Sequence, residues 1–301
     1  MTWQPSDIPD QTGRVALVTG VTAGIGERTA LVLARNGAEV ILAARNPAKL
    51  EKTVATIEQE VPGAKLQRLI VDVSDLSSIR TAAKQAADFG PINLLINNAG
   101  VMAVPYQRTA DGFEMQLATN HFGPFALTGL LLSQLIESGD GRVVAVSSNA
   151  HKIARSAPLG DPRVVRGRYS RWHSYAQSKL ADLLFTYELD RRLRAAGHPV
   201  KALAAHPGFA ATELMGKKGG RSASILQAAF QLAGQPAHMG AWPTLMAATA
   251  DLPGSTYVGP RNLLQMRGEP RIVASRRLSH DRDAQRQLWE LSEEATGVRY
   301  L

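Results

Sequence analysis

The sequence predicts an α/β protein built on a doubly wound parallel sheet in one domain. Three observations predict it. Short apolar runs rich in β-branched residues recur along the chain, each followed by a stretch with helical spacing, and such alternation builds parallel sheets. The first run leads straight into a glycine-rich turn, Gly20-Val21-Thr22-Ala23-Gly24-Ile25-Gly26, ahead of a helical segment. No linker, repeat or low-complexity tract divides the 301 residues.

Each element follows from local pattern. Residues 14–20 are an apolar run ending on glycine, the mark of a buried parallel strand. Helical spacing at Ala30, Leu31, Leu33 and Ala34 predicts a helix over residues 27–36, ended by Gly37. Residues 39–44 form the second strand, and Asn46-Pro47 opens the second helix with proline in its first turn. The third strand covers residues 65–73, with Ser74 or Asp75 capping the helix that follows. Residues 92–96, 142–147 and 200–205 supply the fourth, fifth and sixth strands. Residues 122–136 predict a buried helix; they fall short of the ~20 apolar residues a bilayer span needs.

Composition excludes some classes and permits others. The 45% hydrophobic content is enough for a sizeable core. A net charge of +8 permits nucleic acid, membrane surfaces or acidic ligands as partners without requiring any. Nothing resembles a nucleic-acid reading helix or a stacking platform, so no nucleic acid is expected. With no cysteine, disulfides, thiolate catalysis and cysteine-based metal sites are excluded. The seven histidines show no ligand spacing, so no metal is expected. Residues 1–13 lack a basic stretch followed by an apolar one and do not read as a signal peptide, which makes a cytoplasmic location the expectation.

The glycine-rich turn lies where a dinucleotide phosphate would sit. Glycines let backbone N–H groups approach a pyrophosphate, and the following helix start offers free donors and a positive dipole end. A Rossmann-like site for NAD carries an acid at the end of the second strand, to bind the ribose 2′-hydroxyl. Here that place reads Ala44-Arg45, with Arg45 suited to pair with a 2′-phosphate instead, so NADP(H) is expected over NAD(H). Farther along, Tyr175 and Lys179 stand at i and i+4, on one helix face. An ammonium beside a phenol favours the phenolate and lowers the tyrosine pKa from about 10, giving an acid–base group usable near neutrality.

Thr19-Gly20-x-x-x-Gly24-Ile25-Gly26, Asn97-Asn98-Ala99-Gly100, Ser148, Tyr175-x-x-x-Lys179 and His206-Pro207-Gly208 occur in that order. Together they resemble the classical short-chain dehydrogenase/reductase family over residues 14–212. The wording at Ala43-Ala44-Arg45-Asn46, Asn120-His121-Phe122-Gly123, Ser147-Ser148-Asn149-Ala150-His151, Tyr257-Val258-Gly259-Pro260 and Leu288-Trp289-Glu290-Leu291-Ser292 is similar to its retinol-dehydrogenase-like branch, which light-dependent protochlorophyllide reductases also resemble. The resemblance implies an NADP(H)-dependent interconversion of a carbonyl and an alcohol by hydride transfer. It implies Tyr175 as proton donor or acceptor, and Lys179 as the group that binds the nicotinamide ribose and lowers the tyrosine pKa. Ser148, rather than its neighbour Ser147, would hold the substrate oxygen, and Asn120 a water in the proton relay. The cofactor contacts it implies are Gly20, Thr22, Ala23, Gly24, Ile25, Gly26 and Arg45, then Asp72 and Val73 at the adenine. Asn98, Ala99 and Gly100 would line the ribose, with Tyr175 and Lys179, and Pro207, Gly208 and Thr212 would hold the carboxamide. Relatives pair through the helices containing Asn120 and Tyr175, which implies a homodimer or homotetramer.

The alternative is a non-catalytic nucleotide-sensing protein of the same fold, but a sensor needs no proton relay. The chain departs from the family in two places. Ser148 and Tyr175 are 27 residues apart, against roughly half that in many classical members, so an extra loop sits between them. Ala23 stands where some NADP-using relatives carry a basic residue. The core is expected over residues 14–208, with a substrate lid from 209 to 239 and C-terminal elements to 301. The extra loop (residues 149–174) carries Lys152, Arg155, Arg163, Arg166, Arg168 and Arg171 against Asp161 alone, and the lid start adds Lys217, Lys218 and Arg221 against Glu213. A one-signed rim of this kind at the substrate mouth would favour an anionic substrate, or one delivered from an anionic surface.

Overall fold

A computed structural model describes residues 3–164, 167–209, 235–262 and 264–301. The expected Thr212 contact, Arg166 and most of the expected lid lie outside the described residues.

The strands are β1 (Val15–Thr19), β2 (Glu39–Ala44), β3 (Leu66–Ile70), β4 (Leu94–Asn97), β5 (Arg142–Val146), β6 (Lys201–Ala205), β7 (Tyr257–Asn262) and β8 (Arg267–Ile272). They form one sheet in the order β3-β2-β1-β4-β5-β6-β7-β8. All pairings are parallel except β7 with β8, which is antiparallel. Successive side chains point to opposite faces, and both faces are covered. Ala16, Val18, Leu42 and Ile96 pack against α1 (Gly24–Arg35), α2 (Pro47–Glu60) and, farther along the sheet, α8 (Ala237–Thr249). Leu17, Ile41 and Leu95 face α3 (Leu76–Ala86), α5 (Gly123–Leu130), α6 (Leu132–Glu137) and α7 (Arg171–Ala195).

Local chemistry explains the ends. Asn46 accepts from Lys49 N at 3.0 Å and caps α2, with Pro47 in its first turn. Of the two expected caps for α3, Asp75 takes the part, accepting from Ser77 and Ser78 N–H. The third strand is shorter than expected because, beyond the Val71 N–H bond to Ala44 O, Asp72 to Asp75 leave the ladder to form turns around Asp72 and Asp75.

The expected single helix over residues 122–136 is three pieces. A π-helical turn, Ala118–Phe122, follows the short α4 (Met115–Leu117) and feeds α5, which breaks at Leu131 before α6. The C-terminal α9 (Arg282–Thr296) lies over α7 and α5. Leu288 packs with Leu180 and Leu184, and Trp289 rests on Phe125 and Phe185. The chain's own C-terminal helix thus covers part of the α5 and α7 surface.

Candidate active site

The order of the sheet reverses between β1 and β4, and the crevice beyond the strand ends at such a point is where open α/β sheets bind ligands. The glycine-rich turn occupies it. Gly20 has φ +73°, and a Cβ there would sit 2.8 Å from Ala99 Cα. A Cβ on Gly26 would overlap Asn98 Nδ2 and Gly20 O, so only glycine lets α1 approach β4 this closely. Asn98 makes the turn rigid, donating from Nδ2 to Thr19 O at 2.8 Å and to Gly20 O at 3.3 Å. Thr19 Oγ1 accepts from Asn98 N and Ala99 N, each at 3.0 Å. Ala23 caps α1 with no side-chain hydrogen bond. Ile25 is buried beneath, and Thr22 is part-exposed. The first N–H groups of α1 thus have no side-chain acceptor at Ala23, and the crevice fits a pyrophosphate.

Arg45 follows β2 and is exposed, with its guanidinium 4.0 Å from the Asp72 carboxylate. Asp72 Oδ1 accepts from Ser74 N at 2.9 Å and Oγ at 2.6 Å, and Val73 is buried. An acid and a base therefore face each other where the ribose and adenine of a dinucleotide would arrive.

The second half of the site lies at the ends of β4, β5 and β6. Asn120 is in the π-helical turn, a feature that recurs at functional positions. Its Nδ2 donates to Val101 O at 3.0 Å and Ser178 Oγ at 2.8 Å, and its Oδ1 accepts from Val101 N at 2.8 Å. Both amide N–H groups are committed within the protein. A relay water at Asn120 would have to use Oδ1's second lone pair or the main chain.

Ser148 follows β5, and its Oγ accepts from Ala150 N at 3.1 Å, capping a 3-10 turn, Asn149–Ile153. The cap uses a lone pair and leaves the O–H free to donate. Ser147 is buried and donates to Lys179 O at 2.7 Å. Behind Ser148, His151 sits between two parts of the chain. Its Nδ1 is 2.6 Å from Ser148 O, and its Nε2 lies 3.2 Å from Arg276 N. Because Arg276 N donates, Nε2 must accept, so Nδ1 carries the hydrogen and donates to Ser148 O. Burial pushes His151 down to about 4, which keeps it in that neutral form. The Arg276 guanidinium also donates to Lys152 O and Ala154 O.

Tyr175 and Lys179 lie in the first half of α7, 5% and 6% exposed. Lys179 Nζ donates to Val146 O at 2.8 Å and to Asp182 Oδ2 at 2.9 Å. A Cβ placed on Gly100 would be 3.0 Å from Asn120 Oδ1 and 3.8 Å from Lys179 Nζ, so the lysine head lies in the Gly100–Asn120 neighbourhood. Trp172 packs edge-on to Tyr175, with centroids 6.2 Å apart. Pro207 O accepts from Gln235 Nε2 at 2.7 Å, and Gly208 N donates to His206 Nδ1 at 3.2 Å. Burial pushes His206 down to about 3.

The sequence reading missed Asp182 and His151 as partners of the site. Asp182 carried a signal, as a lone charge in an apolar helical run three residues after Lys179. The partner of His151 on Arg276 is 125 residues away and had none.

The short chain dehydrogenase family model matches residues 14–159. Human retinol dehydrogenase 12 is 38% identical over 292 residues, covering 96% of this chain and 88% of that protein. The chain belongs to the short-chain dehydrogenase/reductase family. Human polyprenol dehydrogenase is likewise 38% identical, over 96% of this chain and 87% of its own. A crystal structure of an uncharacterised protein from Mycobacterium Paratuberculosis superposes with a TM-score of 0.83 and 42% identity, covering all of both chains. This member of the family is of the retinol-dehydrogenase-like branch, an NAD(P)-dependent oxidoreductase of the carbonyl and alcohol kind. Among the described residues, no helix is long and apolar enough to cross a membrane, and no group of three or more His, Asp or Glu could hold a metal.

Proposed function

We propose that the protein interconverts an apolar aldehyde or ketone and its alcohol with NADP(H), using Tyr175 as general acid and base. One observation carries the reading: Lys179 Nζ lies on the end of β5, near Gly100 and Asn120, one helical turn from Tyr175 and joined to the strand that presents Ser148. The bound nicotinamide supplies or accepts the hydride. The protein does the rest. Ser148 donates its free O–H to the substrate oxygen and stabilises developing alkoxide charge. Tyr175 passes the proton to that oxygen or takes it. Lys179 holds the ribose with its remaining donor and favours the phenolate, and Asn120 fixes the wall beside it.

Gly20, Thr22, Ala23, Gly24, Ile25 and Gly26 would hold the pyrophosphate. Asp72 and Val73 would meet the adenine, Ala99 and Gly100 the ribose, and Pro207 and Gly208 the carboxamide. Asn98 acts by bracing the turn. Arg45 would pair with a 2′-phosphate, with Asp72 competing for it.

The substrate class follows from the relatives' names, retinol and polyprenol dehydrogenase, which point to long isoprenoid alcohols. Trp172, Ile153, Leu264 and Met266, exposed apolar side chains on the segments around Ser148, support that class. The deciding experiment assays retinal, a polyprenal and short-chain aldehydes with NADPH and NADH. Turnover of a long apolar aldehyde with NADPH is expected. Activity confined to NADH or to small polar carbonyls would overturn the reading.

A further inference from the structure

Asp182 has no part in the reaction as proposed, yet it lies against its centre. It is a carboxylate 4% exposed within the apolar run Leu180-Ala181-Asp182-Leu183-Leu184. A carboxylate at such depth is strongly disfavoured unless paired, and Asp182 is paired with Lys179 Nζ at 2.9 Å. Tyr175, Lys179 and Asp182 stand at i, i+4 and i+7, one stripe of α7. The ammonium lies between the turns that carry the phenol and the carboxylate. Of its three donors, Val146 O and Asp182 Oδ2 take two and leave one free.

We propose that Asp182 is a positioning residue for proton transfer. Its carboxylate fixes the Lys179 ammonium on the end of β5 and offsets part of its charge, so that Lys179 and Asp182 together set the pH at which Tyr175 ionises. The proposal rests on Tyr175 and Lys179 being the acid–base pair.

Two charged groups reach this cluster from outside α7, Lys152 and Arg276 beside His151, and the remaining titratable groups behind the pair are held neutral by burial. Burial raises Tyr257, from β7, well above the usual tyrosine range, and it is close enough to feel both Asp182 and Tyr175. Tyr187, farther along α7, is raised by burial as well. His206 after β6 and His151 after β5 are pushed down by burial to about 3 and about 4. Lys152 and Arg276 are unchanged in an Asp182 variant, so the charge such a variant removes beside Lys179 is that of Asp182 alone. Burial raises the Asp182 carboxyl and the adjoining Lys179 ammonium pulls it back down, so each charge of the pair depends on the other. Two helical turns are about 10 Å. At that distance, removing one negative charge lowers a neighbouring phenol's midpoint by roughly 0.3 to 1 unit.

The first readout of Tyr175 needs neither substrate nor cofactor. Tyrosinate absorbance is titrated in the whole protein, and the Tyr175→Phe curve is subtracted to isolate Tyr175. Asp182→Asn keeps an acceptor for Nζ but removes the charge. Its Tyr175 midpoint is expected to fall by roughly 0.3 to 1 unit, and the basic limb of the kcat/KM profile for retinal reduction to move by the same amount. A second arm needs no Asp182 variant. In wild-type protein labelled at the aspartate carboxyl carbons, one buried resonance is expected to follow Tyr175 ionisation and to lose that inflection in Tyr175→Phe. An unmoved midpoint in Asp182→Asn, or no aspartate resonance that follows Tyr175, overturns the proposal. Full turnover in both Tyr175→Phe and Lys179→Ala overturns instead the acid–base reading on which it rests.

Discussion

The two halves of the crevice are held together by different chemistry. At the glycine-rich turn every brace is neutral: Asn98 to the carbonyls of Thr19 and Gly20, Thr19 to the amides of Asn98 and Ala99. At the β5–α7 end the brace is a buried ion pair, Lys179 with Asp182, backed by two buried histidines held neutral. A cradle for a permanently charged phosphate needs fixed backbone donors and gains nothing from groups that titrate. A site that moves a proton needs groups whose charge changes, and it accepts sensitivity to pH in return. The difference teaches where pH and mutation should act.

The largest effect should come from the proton. Tyr175→Phe removes only the hydroxyl, and turnover is expected to fall by about 10²- to 10⁴-fold while NADPH affinity, read by fluorescence, changes little. Near-normal kcat in that variant would erase the distinction between the halves.

Acid should find the same end next. His206 is pushed from 6.5 to about 3 by burial. A histidine with a depressed pKa contributes stability that is fully present above 6.5 and is lost as pH falls toward 3, up to about 5 kcal/mol for a shift of this size. The thermal midpoint should therefore drop between pH 6.5 and 3, and His206→Gln should flatten that slope. An equal slope in the variant would show that the acid response comes from elsewhere.

The neutral half should respond to shape and not to pH. Gly26→Ala places a methyl on Asn98 Nδ2 and Gly20 O, with an expected loss of about 1–3 kcal/mol in stability. NADPH affinity should weaken tenfold or more, and the pH profile should stay in place; a moved profile would couple the two halves. Arg45→Ala should act more gently, because Arg45 is exposed and already faces Asp72. Its NADPH affinity should fall by roughly 5- to 10-fold with NADH spared. Equal losses for both cofactors would show that Arg45 does not read the phosphate.

The smallest effect concerns the basic loop. Arg163 pairs with Asp161 at 3.7 Å and lies 4.9 Å over Phe113, and Lys152 donates to Gln265 Oε1 at 2.9 Å, which leaves Arg155, Arg168 and Arg171 as the other exposed cations among the loop's described residues for a steering role. Neutralising those three should raise KM for an anionic substrate less than fivefold and flatten its salt dependence. A matched neutral substrate should respond much less. If both respond equally, the loop's charge has no steering role.

What the sequence could reveal followed the range of the interactions. Strands β1 to β6 and their helices are set by local pattern, and their ends fell within a few residues of expectation. β7 and β8 carry no clear strand pattern in sequence, because Gly259, Pro260, Gly268 and Pro270 interrupt it, as suits strands at a sheet margin. The π-helical turn was hidden for another reason. Asn120 is tied to Val101 and to Ser178, the latter 58 residues away, and no local propensity encodes those bonds. The residues of the proposed acid–base site are visible as motifs, and Asp182 is marked as a lone charge in an apolar helical run, whereas His151 acts through a contact with Arg276 that only the folded chain creates.

The link from His151 to Arg276 has a consequence for how such chains can be recombined. The tail reaches back to fix the turn that carries Ser148, through one main-chain N–H and one guanidinium. A chimera that keeps this turn but takes its C-terminal segment from a relative keeps this support behind Ser148 only if the donor also supplies a main-chain N–H facing the His151 ring. The two segments are one heritable unit, 125 residues apart.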